Sequence, residues 1–279
     1  MSFRTYREVP GDDRSGLGRQ VAAQRARVAE RLRDVGCVVA VLSGKGGVGK
    51  TWVSVALACG LAERGHGDIG LLDADLKSPT AARLLEAAGP LRVDETGVHP
   101  AVGASGVRVM STDLLLEEGA PLAWRGPDAE RFLVREILET GTLREFLADV
   151  AWGSLAVLVV DMPPDGDRIE DLLALVPELG GVLAVTIPSD ESRRSVIRAL
   201  HCARDAGAPL LGLVENMSGY ACADCGTVGP LFAGDAGVSL ARQFDIPLLC
   251  RIPFMPGAHP ADVPSLSTRL ADAVLGALQ

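Results

Sequence analysis

The sequence predicts an α/β protein with a doubly wound, mostly parallel sheet flanked by helices. Three observations predict this class: short apolar runs alternate with helical patterns, the first run leads into a glycine-rich turn, and acidic residues close two later runs. Continuous apolar runs are typical of parallel strands that are buried on both faces. Because ligands bind at the carboxyl ends of such strands, we expect the functional site along that edge of the sheet.

Hydrophobic periodicity predicts each element in turn. Residues 1–36 form a polar lead-in, in which residues 20–35 carry apolar side chains at rough helical spacing and predict a short amphipathic helix packed on the domain. Residues 37–279 form a single domain. Its strands are predicted at residues 37–42, 69–73, 107–111, 156–161, 181–187, 211–215 and 247–252. Its helices are predicted at residues 51–64, 130–149, 167–176, 191–206, 238–244 and 266–278.

Composition narrows the class of function. The net charge of −9 argues against nucleic acid and anionic membrane as partners. No apolar run reaches membrane-spanning length, and the N-terminal stretch MSFRTYREVPGDD lacks the apolar core of a signal peptide, so we expect a cytoplasmic protein. In a reducing compartment, a close pair among the six cysteines favours metal binding or redox chemistry over a disulfide framework.

The segment SGKGGVGKT at residues 43–51 fits the phosphate-loop pattern G-x-x-x-x-G-K-[ST]. It lies between a predicted strand and a predicted helix, which is the context that this P-loop motif requires. Glycines let the backbone wrap around phosphate oxygens, and the helix N-terminus offers partial positive charge. Lys50 is expected to reach the β- and γ-phosphates of ATP, and Thr51 to ligate Mg²⁺. The nucleotide-binding residues predicted here are Gly44, Lys45, Gly46, Gly47, Val48, Gly49, Lys50 and Thr51.

Carboxylates at two strand ends suit a nucleotide–magnesium site. Asp161 follows four hydrophobic residues and is interpreted as the Walker B aspartate, which holds Mg²⁺ directly or through water. Asp73 and Asp75 close the second strand in LLDAD. Asp73 is expected to support the metal shell, and a purely structural role for it is equally compatible with the sequence.

A second lysine, Lys45, directly follows the first glycine of the loop. KGGVGKT resembles the deviant Walker A motif of the ParA/MinD superfamily. Further segments resemble, in the same order along the chain, the motifs of the Mrp family of ATP-binding iron–sulfur cluster carriers within that superfamily. These segments are GLLDADLKSPT at 70–80, RVMS at 108–111, WRGP at 124–127, DMPPDGD at 161–167, VENMS at 214–218 and CADCG at 222–226.

The resemblance implies specific roles for residues of this chain. Lys45 is expected to cross a homodimer interface and contact the partner's nucleotide, as an arginine finger does in trans. Asp75 is expected to position the hydrolytic water, and Asn216 to hydrogen-bond the adenine ring. The family also implies ATP hydrolysis and transfer of a cluster to acceptor apoproteins, with cluster assembly proteins as further partners. We expect slow turnover, because water positioning in a dimer that must first assemble is a conformational gate.

Cys222 and Cys225 form a C-x-x-C pair that supplies two thiolates to one metal centre. A [4Fe–4S] cluster or a tetrahedral zinc usually takes four, so a second copy related by a twofold axis would complete the set. A thioredoxin-like redox pair is a further possibility. The other cysteines are interpreted as small buried hydrophobic residues; they are Cys37, Cys59, Cys202 and Cys250.

Two departures from the family pattern concern the switch segments that follow the aspartates. KSP stands at 77–79 where the pattern has YGP, and PPDGD at 163–167 is one residue shorter than PPGTGD.

Two alternatives to the cluster carrier stay open. One is a MinD/ParA-like positioning switch without a cluster, although the last helix is only modestly amphipathic. The other is an ATPase with a structural four-cysteine zinc, since sequence does not separate iron from zinc at such a site.

Overall fold

A computed structural model gives the structure of the protein and describes residues 17–115, 131–164, 166 and 168–279. The WRGP match at 124–127 lies outside the described residues, as do residues 1–16 of the predicted lead-in. Glu130, at the start of a predicted helix, lies outside them too, and so do Asp165 and Asp167 of the shortened switch.

The described residues build a nine-stranded sheet and a separate two-stranded hairpin. The strands are β1 Val35–Ser43, β2 Ile69–Asp73, β3 Val93–Asp94, β4 Gly97–Val98, β5 Ala101–Val102, β6 Arg108–Met110, β7 Leu155–Asp161, β8 Gly181–Thr186, β9 Leu210–Ala221, β10 Val228–Gly229 and β11 Leu248–Phe254. The order in the sheet is β10-β9-β8-β1-β7-β2-β6-β5, with β11 paired to β9. Only the pairings of β10 and β5 in this sheet are antiparallel, so the predicted mostly parallel sheet is confirmed.

Helices cover both faces of the sheet. They are α1 Leu17–Arg31, α2 Lys50–Glu63, α3 Ala81–Leu84, α4 Arg131–Asp149, α5 Ile169–Leu175, α6 Asp190–Asp205, α7 Ala236–Phe244 and α8 Pro264–Ala277. One core contains residues of α4, α5, α6 and α7, and a second core, on the opposite face, contains residues of α2 and α8. In the part of the chain described, no helix is both long and apolar enough to span a bilayer.

The central strand β1 has a mostly apolar sequence because both of its faces are covered by helices. Val38, Ala40 and Leu42 enter one core, whereas Val39 and Val41 enter the other. Because successive side chains of a strand point to opposite faces, a strand covered on both sides needs an apolar residue at every position. This burial holds the carboxyl end of β1, and the glycine-rich turn that follows it, in a fixed place.

Several elements differ from the prediction. The lead-in helix α1 begins at Leu17 and ends at Arg31, and Val28 is its one fully buried residue among those described. Strand β9 was expected to end at residue 215, with Asn216 after it; this was wrong, because β9 continues to Ala221 and contains Asn216. The extension pairs with β10, which follows it across a short turn, and with β11, which is distant in sequence; together they supply its hydrogen bonds. The helix α3 and the short strands β3, β4, β5 and β10 were not predicted.

Candidate functional site

The phosphate loop runs from the end of β1 into α2, as the motif predicts. Gly47 and Gly49 adopt positive φ angles of 79° and 78°, a region that favours glycine. At Gly44, a Cβ atom would lie 2.1 Å from the backbone carbon of Ser195, so only glycine fits against α6. Residues 45–51 line a cavity of about 280 Å³, and Asp75 and Pro164 lie on its rim. The loop is therefore shaped by close backbone contacts and leaves space over its amides for an anion.

We predict that Gly49→Ala destabilises the fold. A side chain at this φ costs about 1–2 kcal/mol in conformational strain, and its Cβ would lie 2.2 Å from Asn216 Nδ2. Gly46→Ala is the matched control, because its Cβ would meet no atom within 4 Å. Thermal unfolding of both variants tests this: Gly49→Ala should melt well below Gly46→Ala, and equal melting temperatures would contradict the contact.

Lys50, Thr51 and Asp161 meet at the base of the loop. Lys50 Nζ lies 2.7 Å from Asp161 Oδ1, and Thr51 Oγ1 donates a 2.7 Å hydrogen bond to Asp161 Oδ2. Both members of the ion pair are buried, and in the described residues Nζ has this charge contact but no hydrogen bond of good geometry. A buried ammonium with unused donors is what an incoming phosphate requires.

Ser54 is a contact that sequence reasoning missed. Its Oγ lies 2.7 Å from Asp161 Oδ1 and 3.1 Å from the carbonyl oxygen of Lys50. The available signal was its spacing, since a residue four positions after Lys50 faces the same side of α2. Asp161 thus has hydroxyl partners on both oxygens, which orient its carboxylate towards the loop.

Asp73 lies beside Asp161 on the neighbouring strand, where the two residues are paired in register. Burial, and after it the charge of Asp161, raise the pKa of Asp73 to about 7. Its Oδ2 accepts hydrogen bonds from the amides of Thr80 and Ala81 at 3.0 Å and from Ser111 Oγ at 3.1 Å. The carboxyl group therefore anchors residues 74–80, which carry Asp75, and it lies within the acidic pair that a divalent cation would neutralise.

Asp75 and Lys45 lie at the open rim of the same cavity. Asp75 is half-buried, and its carboxylate accepts a 3.3 Å hydrogen bond from the amide of Ser78. Lys45 is half-buried too, and within the described residues its ammonium has no ion-pair or hydrogen-bond partner. Both residues therefore line the cavity of the phosphate loop, where Asp75 is hydrogen-bonded within its own loop and the Lys45 ammonium has no partner among the described residues.

A second cavity of about 250 Å³ adjoins the loop beyond Gly49. Asn216 forms part of its wall and donates a 2.9 Å hydrogen bond from Nδ2 to the carbonyl oxygen of Val48. The rest of the lining is mostly apolar and comes from Trp52, Met217 and the end of β11 with its following loop. A mostly apolar cavity with one side-chain amide in its lining suits a purine base. Sequence reasoning identified Gly49 and Asn216 but missed Trp52 and the segment after β11, because that segment is distant in sequence from both and carries no motif.

The cysteine pair lies in the six-residue turn between β9 and β10. The amide of Cys222 donates a hydrogen bond to the carbonyl oxygen of Thr227, and the carbonyl oxygen of Cys222 accepts one from the amide of Gly226. Gly226 has a φ of 71°. Both thiols are free; Cys222 is half-buried and Cys225 is exposed. Among the described residues, no three potential ligands lie together. The turn therefore holds two free thiols close together in sequence, one half-buried and one exposed.

The pKa of Cys225 is lowered, first by the Thr227 side chain, then by the Thr227 amide, with a further contribution from Cys222. Cys225 Sγ lies 3.3 Å from Thr227 Oγ1. We predict that Thr227→Val moves the pKa upwards, because it removes the hydroxyl that stabilises the thiolate. The pH profile of iodoacetamide alkylation at Cys225 in metal-free protein measures this. Thr227→Ser should retain the original profile, and an unchanged profile in Thr227→Val would rule out the hydroxyl's role.

Exposed apolar side chains lie on or beside this hairpin. Tyr220 is 40% exposed and Val228 is 56% exposed, and they belong to the two paired strands. The ring of Phe254, at the end of β11, lies 6.3 Å from that of Tyr220. Leu231 and Phe232, which lie just beyond β10, are also exposed. The hairpin that carries the two thiols therefore also carries an apolar rim, formed by these exposed side chains on and beside its strands.

Known proteins resemble this chain over most of its length. Residues 34–262 match the ParA family, described as NUBPL iron-transfer P-loop NTPase. An iron-sulfur cluster carrier protein of Saccharolobus solfataricus is 34% identical over 88% of this chain and 80% of its own length. A cytosolic Fe-S cluster assembly factor, CFD1 of Chaetomium globosum, is 36% identical over 81% of this chain and 76% of its own length.

Among solved structures, a nucleotide-binding protein of Archaeoglobus fulgidus in complex with ADP has a TM-score of 0.67 and 30% identity. The match covers 89% of this chain and 92% of that protein. The family match at residues 34–262 spans the sheet, the phosphate loop and the cysteine hairpin, and the resemblance inferred from the ordered motifs is confirmed. This chain belongs to the ParA family of P-loop NTPases, in the group described as iron-transfer NTPases.

Proposed function

We propose that two copies of this chain bind and slowly hydrolyse ATP, hold an iron–sulfur cluster between them and pass it to acceptor apoproteins. The observation that carries this proposal is the pair of free thiols, half-buried Cys222 and exposed Cys225, in the turn between β9 and β10 of the sheet that also carries the phosphate loop. Two surface thiolates form half of a four-sulfur shell, and an isologous contact around a twofold axis places the same two from a second copy opposite them.

The nucleotide half of the proposal rests on the loop and its buried partners. Residues 44–51 would bind the phosphates, with Lys50 at the β- and γ-phosphates and Asn216 at the base. Oxygen atoms of Thr51, Asp161 and Asp73 form the donor set that Mg²⁺ prefers, and the short Lys50–Asp161 contact shows that this carboxylate already neutralises a cation. The ADP complex of the Archaeoglobus relative supports nucleotide binding here.

Hydrolysis would use residues from both copies. Asp75, at the rim of the loop cavity, would position the attacking water. Lys45 would reach the partner's phosphates and stabilise the charge that develops there. Magnesium would shield the phosphate oxygens and help to orient them. Because a site of this kind is complete only in the assembled dimer, turnover would be slow.

The cargo is proposed to be a [4Fe–4S] cluster, bridged by one C-x-x-C pair from each copy. The names of the relatives, a cluster carrier and a cytosolic assembly factor, support this cargo and a cytosolic location. The apolar rim beside the cysteines supports a protein partner at that face, since such patches are rare on isolated soluble proteins. Acceptor apoproteins and cluster assembly proteins are the proposed partners, and neither nucleic acid nor membrane is required.

Anaerobic purification followed by metal and acid-labile sulfide analysis tests the proposal. The carrier predicts iron and sulfide in equal amounts, and about four iron atoms for every two chains. Zinc without sulfide would instead support a structural four-cysteine site at the same interface. Protein that binds ATP but takes up no metal, even after chemical reconstitution, would favour a MinD/ParA-like switch and overturn the carrier.

A further inference from the structure

A buried carboxylate connects the two segments that follow the acidic strand ends. Glu139 lies on α4, and its Oε2 is 2.5 Å from a terminal guanidinium nitrogen of Arg168, which directly precedes α5. Its Oε1 is 3.5 Å from Lys77 Nζ, in the loop that follows β2. One side chain of a third element therefore contacts both loops, at a point outside the phosphate loop.

The burial of the Glu139 carboxylate makes its contacts with cations important for the free energy of this region. The side chain of Glu139 is 9% exposed and that of Arg168 is 20% exposed, whereas Lys77 is 59% exposed. A carboxylate with so little access to water needs compensating charge, and removing a cation from it leaves an unfavourable buried charge. Arg168 is held in turn by Thr140, whose hydroxyl donates a 2.9 Å hydrogen bond to Asp171. We expect the Arg168 contact to be the strong one and the Lys77 contact to be weaker.

The two loops carry residues of the nucleotide site. Lys77 is two positions from Asp75, and Arg168 belongs to the segment that begins after Asp161. A cavity of about 170 Å³ between them is lined by Asp75, Lys77, Glu139, Pro164 and Arg168, among others. Any change in the separation of the loops would therefore alter the place of Asp75 relative to the phosphates.

The contacts also bring together the two places where the sequence departs from the pattern that it resembles. Lys77 stands where that pattern has tyrosine, and Arg168 directly follows the shortened PPDGD segment. Lys77, which belongs to one departure, and Arg168, which directly follows the other, therefore contact the same carboxylate, and the proposed function uses neither of them.

We propose that Glu139 is a positioning residue for ATP hydrolysis. It holds the loop after β2 and the loop after β7 at one separation, and it acts on the reaction through Asp75 rather than by touching the nucleotide. This inference rests on the proposed ATP hydrolysis, but the ordering of the two loops by Glu139 is measurable without turnover.

The test compares Glu139→Gln with the wild-type chain by hydrogen–deuterium exchange and by ATPase kinetics. We expect faster exchange in the peptide that contains Asp75 and also in the one that contains Met162. We expect kcat to fall about ten- to hundredfold, since small misplacements of reacting groups have effects of that size, with nucleotide Kd nearly unchanged. Arg64→Gln is the control, because it removes an arginine–aspartate ion pair that joins the residue after α2 to α8, away from both loops.

Variants of Lys77 provide a second test. They should fold as the wild-type chain does, since the Lys77 side chain is mostly exposed. Lys77→Arg should retain wild-type kcat, and Lys77→Gln should lower it. The double variant Lys77→Gln/Arg168→Gln should lose less than the product of the two single effects, because both cations act through one carboxylate. Independent, multiplicative effects would contradict the shared anchor.

The outcomes separate this inference from the proposed function. Folded Glu139→Gln protein that shows wild-type kcat, or faster exchange in only one of the two loops, would overturn the role of Glu139 and leave the carrier intact. A wild-type chain that hydrolyses no ATP would overturn the proposed hydrolysis. In that case the exchange measurement alone decides whether Glu139 orders both loops.

Discussion

Lys45→Ala is expected to leave ATP binding intact and to lower the rate of hydrolysis by about 10³–10⁵-fold, the range found for a cation supplied in trans. Lys50 already occupies the base of its own loop against Asp161. Lys45 lies at the rim, and its ammonium has no partner among the residues described. Single-turnover hydrolysis and an equilibrium ATP titration of the same variant measure the two effects separately.

Mixing two inactive variants tests whether the lysine acts across the dimer. In a mixed dimer of Lys45→Ala and Asp75→Asn, the Lys45→Ala subunit keeps its aspartate and receives the lysine of its partner. An equal mixture should therefore recover about a quarter of wild-type activity, because half of the dimers are mixed and each holds one complete site. No recovery would show that Lys45 serves its own subunit, and full hydrolysis by Lys45→Ala alone would exclude any catalytic role for it.

Cys222→Ala is expected to lose the cluster completely while it still binds ATP. The variant leaves one thiolate per chain in the turn, and two per dimer do not hold a four-iron cluster. Its ATP affinity should be unchanged, because the turn between β9 and β10 lies outside both cavities of the nucleotide site. Iron, sulfide and ATP affinity are measured on the same reconstituted sample.

Cys202→Ala is the matched control for this experiment, since Cys202 is a half-buried free thiol on α6. It should retain the iron and sulfide content of the wild-type chain. A Cys222→Ala protein with a full complement of iron and sulfide would refute the ligand assignment, and with it the need for a second chain at this site.

Local patterns predicted much of the fold. Strands β1, β2, β7 and β8 were placed to within about two residues, because each is buried on both faces and is apolar at nearly every position. The phosphate loop and Asp161 followed from spacing and from their position after such strands. The predicted fold class and the predicted family were both confirmed, because each prediction depended on many such segments in a fixed order.

Features that depend on long-range pairing escaped prediction. The second half of β9 has the polar sequence NMSGYA, and only its pairing with β11 and β10 makes it a strand. The base cavity joins Trp52 to the segment after β11, and the contacts of Glu139 join α4 to two separate loops. No periodicity or motif indicates which distant residues meet, so these contacts became visible only in the structure.

The most direct test of the account is the mass of the assembled particle. Small-angle scattering or native mass spectrometry should be performed on protein loaded with both ATP and reconstituted cluster, under anaerobic conditions. We predict a particle of two chains that holds one cluster, and its conversion to single chains in Cys222→Ala protein without nucleotide. Single chains that carry both ATP and a full cluster would contradict the shared site on which the proposed function depends.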